Sequence, residues 1–161
     1  MTDIQPKNLV HAFLCFLALS GFVPTAHADT TIMVQDSWVR EAPPGAPMAG
    51  YMVLHNSGTG EKTLVGASSE AFEKVMVHRS FVENGVAKMS AVGSVPIGPG
   101  DKVKFESGGL HLMLMQARQT FKAEDTIRIS LEFDDGSVFD ARFTVRSPDM
   151  DHGDSQGHAE H

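Results

Sequence analysis

Gly108-Gly109-Leu110-His111-Leu112-Met113-Leu114-Met115 alternates strictly after its glycine pair. A β-strand sends successive side chains to opposite faces, so Leu110, Leu112 and Leu114 pack inward together while His111, Met113 and Met115 share the other face. Outward from this stretch, short apolar runs recur with turn chemistry between them, at the roughly 8 to 12-residue spacing of an all-β sandwich or barrel. The expected strands are 32–40, 50–55, 63–67, 75–82, 86–92, 102–106, 110–116, 126–133 and 137–145. Their separators include Ala42-Pro43-Pro44-Gly45-Ala46-Pro47, Asn56-Ser57-Gly58, Asn84-Gly85, Pro96-Ile97-Gly98-Pro99-Gly100 and Asp134-Asp135-Gly136. No stretch has a helical period, and strands without crossover helices do not build a parallel sheet. The expectation is an antiparallel Greek-key sandwich of eight to nine strands, with Trp38, Tyr51, Phe72, Phe105, Phe133 and Phe143 as bulky core candidates.

The chain of 161 residues is long enough for one domain, and its 42% hydrophobic and 20% charged content is ordinary for a globular protein. Lys and Arg total 13 against 20 Asp and Glu, a formal net charge of -7 that argues against nucleic acid as a partner. Residues 1–28 combine Lys7, an apolar run from Leu9 to Val23 and the small-x-small end Ala26-His27-Ala28, the pattern of a cleaved secretory signal peptide. The run is too short to span a bilayer, so no membrane span is expected after cleavage and the location read is the periplasm. Cys15, the one cysteine, would leave with that leader, and Ala12-Phe13-Leu14 before it is not a lipoprotein signal. A mature chain without thiols has no disulfide, no thiolate zinc site and no cysteine nucleophile. The globular domain is read as residues 29–146, followed by a polar, aperiodic and therefore disordered tail over 147–161.

Asn84-Gly85 suits a two-residue type I′ hairpin turn. That register opposes Ser80 to Met89 and His78 to Ala91, making His78 and Met89 diagonal neighbours on one face. Two His and Met pairs thus stand on two β elements. Thioether sulfur is a soft neutral donor that favours Cu(I), imidazole suits copper in either oxidation state, and zinc, calcium and magnesium prefer other donors. Without Cys the set cannot make a blue-copper electron-transfer site. Met76, Met89, Met113 or Met115 taken singly reads as strand packing, and a lone strand His as structural; the two readings stay open until hairpin and strand are brought together.

The spacing His78-x10-Met89-x21-His111-x-Met113 resembles the signature of periplasmic copper chaperones of the PCu(A)C type. Ala42-Pro43-Pro44-Gly45, Leu64-Val65-Gly66-Ala67-Ser68-Ser69 and the Gly108–Met115 stretch extend the likeness over about residues 38–145. The resemblance implies a cupredoxin-like sandwich that holds Cu(I) through His78, Met89, His111 and Met113. It also implies delivery to the CuA centre of cytochrome c oxidase subunit II, beside a Sco-type thiol protein. Met115, beyond the motif, is an auxiliary candidate, and Arg79 departs from the pattern by placing a cation beside the first His. Such a carrier is not an enzyme: copper leaves by ligand exchange, and acid competes with it near an ordinary His pKa of about 6.5. Met150, His152, His158 and His161 in the tail form a second candidate site, for Cu(II). The competing readings are a periplasmic copper buffer without an acceptor, a copper oxidase or dismutase, which the thioethers disfavour, and a metal-independent β-sandwich interaction module.

Overall fold

The computed structural model describes residues 31–148. Ten strands follow one another: β1 (Ile32–Arg40), β2 (Met48–Asn56), β3 (Lys62–Ser68), β4 (Phe72–Glu83), β5 (Val86–Ala91), β6 (Val95–Ile97), β7 (Lys102–Phe105), β8 (Leu110–Ala117), β9 (Thr126–Phe133) and β10 (Val138–Arg146). There is no α-helix among the described residues. The strands form a single sheet in the order β5-β4-β8-β7-β2-β1-β10-β9-β3-β6, and β8 also pairs with β2. β7 and β8 follow one another along the same edge of β2: β8 pairs with Met48–Gly50, β7 with Met52–His55. The sheet curls over a core whose fully buried members include Val39, Leu54, Leu112, Leu114, Ile129, Leu131 and Phe143. Burial of this apolar surface is the main favourable term, at roughly 25 cal/mol per Å².

The all-β sandwich class holds, with three differences from the expectation. Val95–Ile97, of which Pro96 and Ile97 fall in an expected Pro- and Gly-rich turn, is a tenth strand paired with β3, and its Val95 and Ile97 are buried. Pro96 is tolerated because β6 lies at the sheet edge, where a missing N–H costs no ladder bond. The sheet is also not wholly antiparallel. β1 and β10 run parallel, Trp38 beside Thr144 and Arg40 beside Arg146, the rest of the domain serving as the long connection such a pair requires. A shorter parallel contact joins Phe105 to Leu110.

The third difference concerns the aromatics. Phe72, Phe105, Phe133, Phe143 and Tyr51 are buried as expected, Tyr51 at 6% exposure, but Trp38 is only partly buried. The β1–β2 register shifts between Gln35 and Trp38, where Asp36 has φ 50°, and the extra residue reverses the alternation. Ile32 points inward before the bulge and Val39 after it, which turns Trp38 and Arg40 to the outer face. There Trp38 packs on Tyr51 with ring centroids 4.6 Å apart, and the Arg146 and Arg40 guanidinium groups lie 5.2 Å and 5.8 Å over Trp38 and Tyr51. The core instead takes Phe121, stacked on Phe72 at 5.4 Å.

Asn56, read as a turn residue, is fully buried. Its Nδ2 donates to the carbonyls of Gly60 (2.7 Å) and Ile97 (3.0 Å), and its Oδ1 accepts from Gly58 N–H (3.0 Å). One amide thus ties the end of β2 to β6.

Candidate metal centre

β4 turns into β5 through Asn84 and Gly85, both at positive φ (53° and 77°), as a type I′ hairpin requires. The register is the expected one, Ser80 opposite Met89 and His78 opposite Ala91. On its other edge β4 meets β8, which brings the two halves of the motif together. His78 stands opposite His111, Met76 opposite Met113, and Lys74 opposite Met115. Val75 and Val77 bury the alternate face of β4 and Leu110, Leu112 and Leu114 that of β8, so packing of the core dictates which face the His and Met side chains share.

On that face the imidazole centroids of His78 and His111 are 6.1 Å apart, with planes inclined at 58°. His111 is 6% exposed, and its Nδ1–H donates to the Gly109 carbonyl at 3.1 Å. A carbonyl can only accept, so Nδ1 carries the proton and the Nε2 lone pair is left for a metal, the arrangement that orients metal-binding imidazoles generally. Both His78 ring nitrogens are buried without a hydrogen-bond partner. Leaving such an atom unsatisfied costs about 1–3 kcal/mol, and a bound ion would partner one of the two nitrogens. Burial, then the His111 ring and Lys74, hold the His78 pKa below its ordinary 6.5, so the neutral, metal-binding form is favoured.

A shallow cavity of about 170 Å³ is lined by Pro47, Tyr51, Met89, Ser107, His111 and Met113, among others. Met113 is half-buried, whereas Met89, on the wholly exposed strand β5, is 50% exposed. Tyr51 forms part of the wall, a role its reading as core packing did not give it. Gly50 eases the close packing of β2 on β8: a Cβ there would meet Leu112 Cβ and Leu114 Cδ1 at 3.3 Å, tight enough that those side chains would have to give by a few tenths of an ångström. The cavity brings together Met89, His111 and Met113, and His78 stands beside it, opposite His111 on the same face of the ladder. Met115 shares their face but lies two rungs from the histidine pair, opposite Lys74. Alternation sends Arg79 to the face opposite His78, beside Leu110, so its charge is not directed at the site. The tail candidates Met150, His152, His158 and His161, and the leader over 1–28, lie outside the described residues.

Two neutral imidazoles and two thioethers make a soft, uncharged donor set. No group of three or more His, Cys, Asp or Glu side chains converges among the described residues, so harder donors do not compete at this face.

Solved PCuAC domains share this all-β fold. The copper-bound PCuAC domain from PmoF2 has this fold, at 20% identity and a TM-score of 0.62, covering 73% of this chain and 94% of that one. The Cu(I) form of DR1885 from Deinococcus radiodurans is 28% identical, with a TM-score of 0.57 over 70% of this chain and 78% of that one. Residues 32–145 match the LpqE-like family, and the chain belongs to it. A relative described as "Putative lipoprotein Lxx21020", from Leifsonia xyli subsp. xyli, is 32% identical over 123 residues, 76% of this chain and 73% of that protein. The resemblance drawn from the motif thus holds for family and fold. No helix among the described residues is long and apolar enough to cross a membrane.

Proposed function

We propose that this protein is a periplasmic copper carrier that holds Cu(I) with His78, Met89, His111 and Met113 and passes it on by ligand exchange. The observation that carries the reading is the histidine pair: His111 is oriented by Gly109 with Nε2 left free, and opposite it both His78 nitrogens are buried and unpartnered. Relatives described as copper-bound share the fold, and the donor set is one that Cu(I) prefers. The role is that of a carrier rather than an enzyme. Neutral thioethers leave the ion exchangeable, and Met89, half-exposed at the edge strand, is the donor most open to solvent.

The acceptor that fits this chemistry is the CuA site of cytochrome c oxidase subunit II, reached directly or through a Sco-type thiol protein. Export by the leader over 1–28 places the carrier in the periplasm. In the tail, Met150, His152, His158 and His161 supply imidazole and thioether donors for capture of Cu(II), leaving the folded domain for Cu(I).

The test is an anaerobic Cu(I) titration of the protein against a competing chelator. One tightly held Cu(I) per chain, weakened by His111→Ala and Met113→Leu, is expected. Transfer to an apo CuA domain then distinguishes delivery from storage. Absence of competitive binding would reduce the face to strand packing and overturn the reading.

A further inference from the structure

The histidine pair has sulfur on both sides of it. Toward the hairpin tip lies Met89, opposite Ser80; in the other direction the next pair on the same face is Met76–Met113, followed by Lys74–Met115. Pairs sharing a face are two residues apart along the strands, about 6.8 Å, and directly opposed side chains start from Cβ atoms about 4.5–5.5 Å apart. Methionine has three rotatable side-chain bonds, so Met76 and Met113 reach a common point between them without any backbone movement. Neither is a member of the buried core cluster, and both are only half-buried. Met76 falls outside the four-residue spacing and has no role in the site as described.

We propose that Met76 and Met113 form a second Cu(I) station, one rung from the histidine pair and sharing Met113 with it. The proposal rests on the copper-carrier reading and says how the ion leaves. Copper stays Cu(I) throughout: its bonds to the Met89 sulfur and to the His78 and His111 nitrogens break, a bond to the Met76 sulfur forms, and Met113 stays bound. No electron or proton moves. A pair of thioethers is a weaker, softer anchor than the mixed set, so an ion resting there is more open to a thiolate acceptor than one held by two imidazoles. The lane ends at the next rung. Lys74 there opposes Met115, and its ammonium disfavours a further cation, which leaves Met115 out of the path.

The test combines the full chain carrying methyl-labelled methionine with anaerobic Cu(I). At one equivalent, the Met76 methyl signal is expected to shift together with those of Met113 and Met89. Met76→Leu is expected to keep the stoichiometry while slowing release to a thiol-bearing chelator about tenfold, the effect of removing one station from the exit path. Shifts at Met89 and Met113 with Met76 unmoved would overturn the station and leave the four-residue site standing. A release rate from Met76→Leu equal to that of the parent would overturn it as well. If no methionine signal in the folded domain moved, the copper-carrier reading itself would fail. The methyl signal is read in the unaltered protein, so poor folding of the variant would not shelter the proposal.

Discussion

His78 faces His111 directly across the β4–β8 ladder, their ring centroids 6.1 Å apart, although β5, β6 and β7 lie between them in the chain. This pairing sets the geometry of the site. Met113 follows His111 on the same face, and the hairpin places Met89 diagonally beside His78.

Substitutions on the face should therefore separate by rung. Losing a group that merely orients a metal ligand typically costs about 10–100-fold in metal affinity, and His111→Ala or Met113→Leu should cost at least that much for Cu(I). Met115→Leu, opposite Lys74, should change affinity less than about twofold, since it removes no donor. Competition titrations read both.

The metal-free protein should titrate unusually at His78. Its pKa is lowered in the folded chain by burial, by His111 and by Lys74, so the unfolded chain binds more protons below pH 6.5. The stability tied to neutral His78 is complete above that pH and is lost as pH falls from 6.5 through the lowered folded value. Imidazole NMR signals should give a midpoint below that of an ordinary His, and His78→Asn should remove this part of the pH dependence of unfolding. A midpoint at or above 6.5 would contradict the burial argument.

Asn56→Ala should destabilise the fold by about 2–3 kcal/mol, because it strands the Ile97 carbonyl and the Gly58 N–H in or near the interior. Thermal unfolding measures this. Copper affinity of the folded fraction should be unchanged, since Asn56 sits at the other end of β2 from the residues that meet Met113.

Removal of residues 147–161 should abolish tight Cu(II) uptake and leave Cu(I) binding intact. Isothermal titration with each ion separates the two sites. Unchanged Cu(II) binding would show that the tail is not the second site.

Much of the site was legible along the chain because its signals are local. The alternation of Leu110–Met115 assigns faces within one strand, and Asn84-Gly85 sets a hairpin register in which Met89 can lie only beside His78. The three-residue strand β6 was hidden by the turn chemistry of its own Pro96 and the residues after it. Trp38 was misplaced because one bulged residue at Asp36 reverses the side on which all later β1 residues fall. Phe121, in a segment with no periodicity, left no trace of its stacking on Phe72.

Local pattern and donor chemistry thus determined by themselves an all-β domain, the inward and outward faces of β8, the β4–β5 register and a His and Met set suited to Cu(I). These depend on neighbours in sequence, where the period-2 rule and turn conformations act. Only the tertiary structure decided that β4 lies against β8 with His78 opposite His111, that Met76 rather than Met115 is the next sulfur beside the pair, and that β1 and β10 run parallel. The register between strands far apart in the chain is set by the joint packing of the core, here Val75 and Val77 with Leu110, Leu112 and Leu114, and no local spacing encodes it.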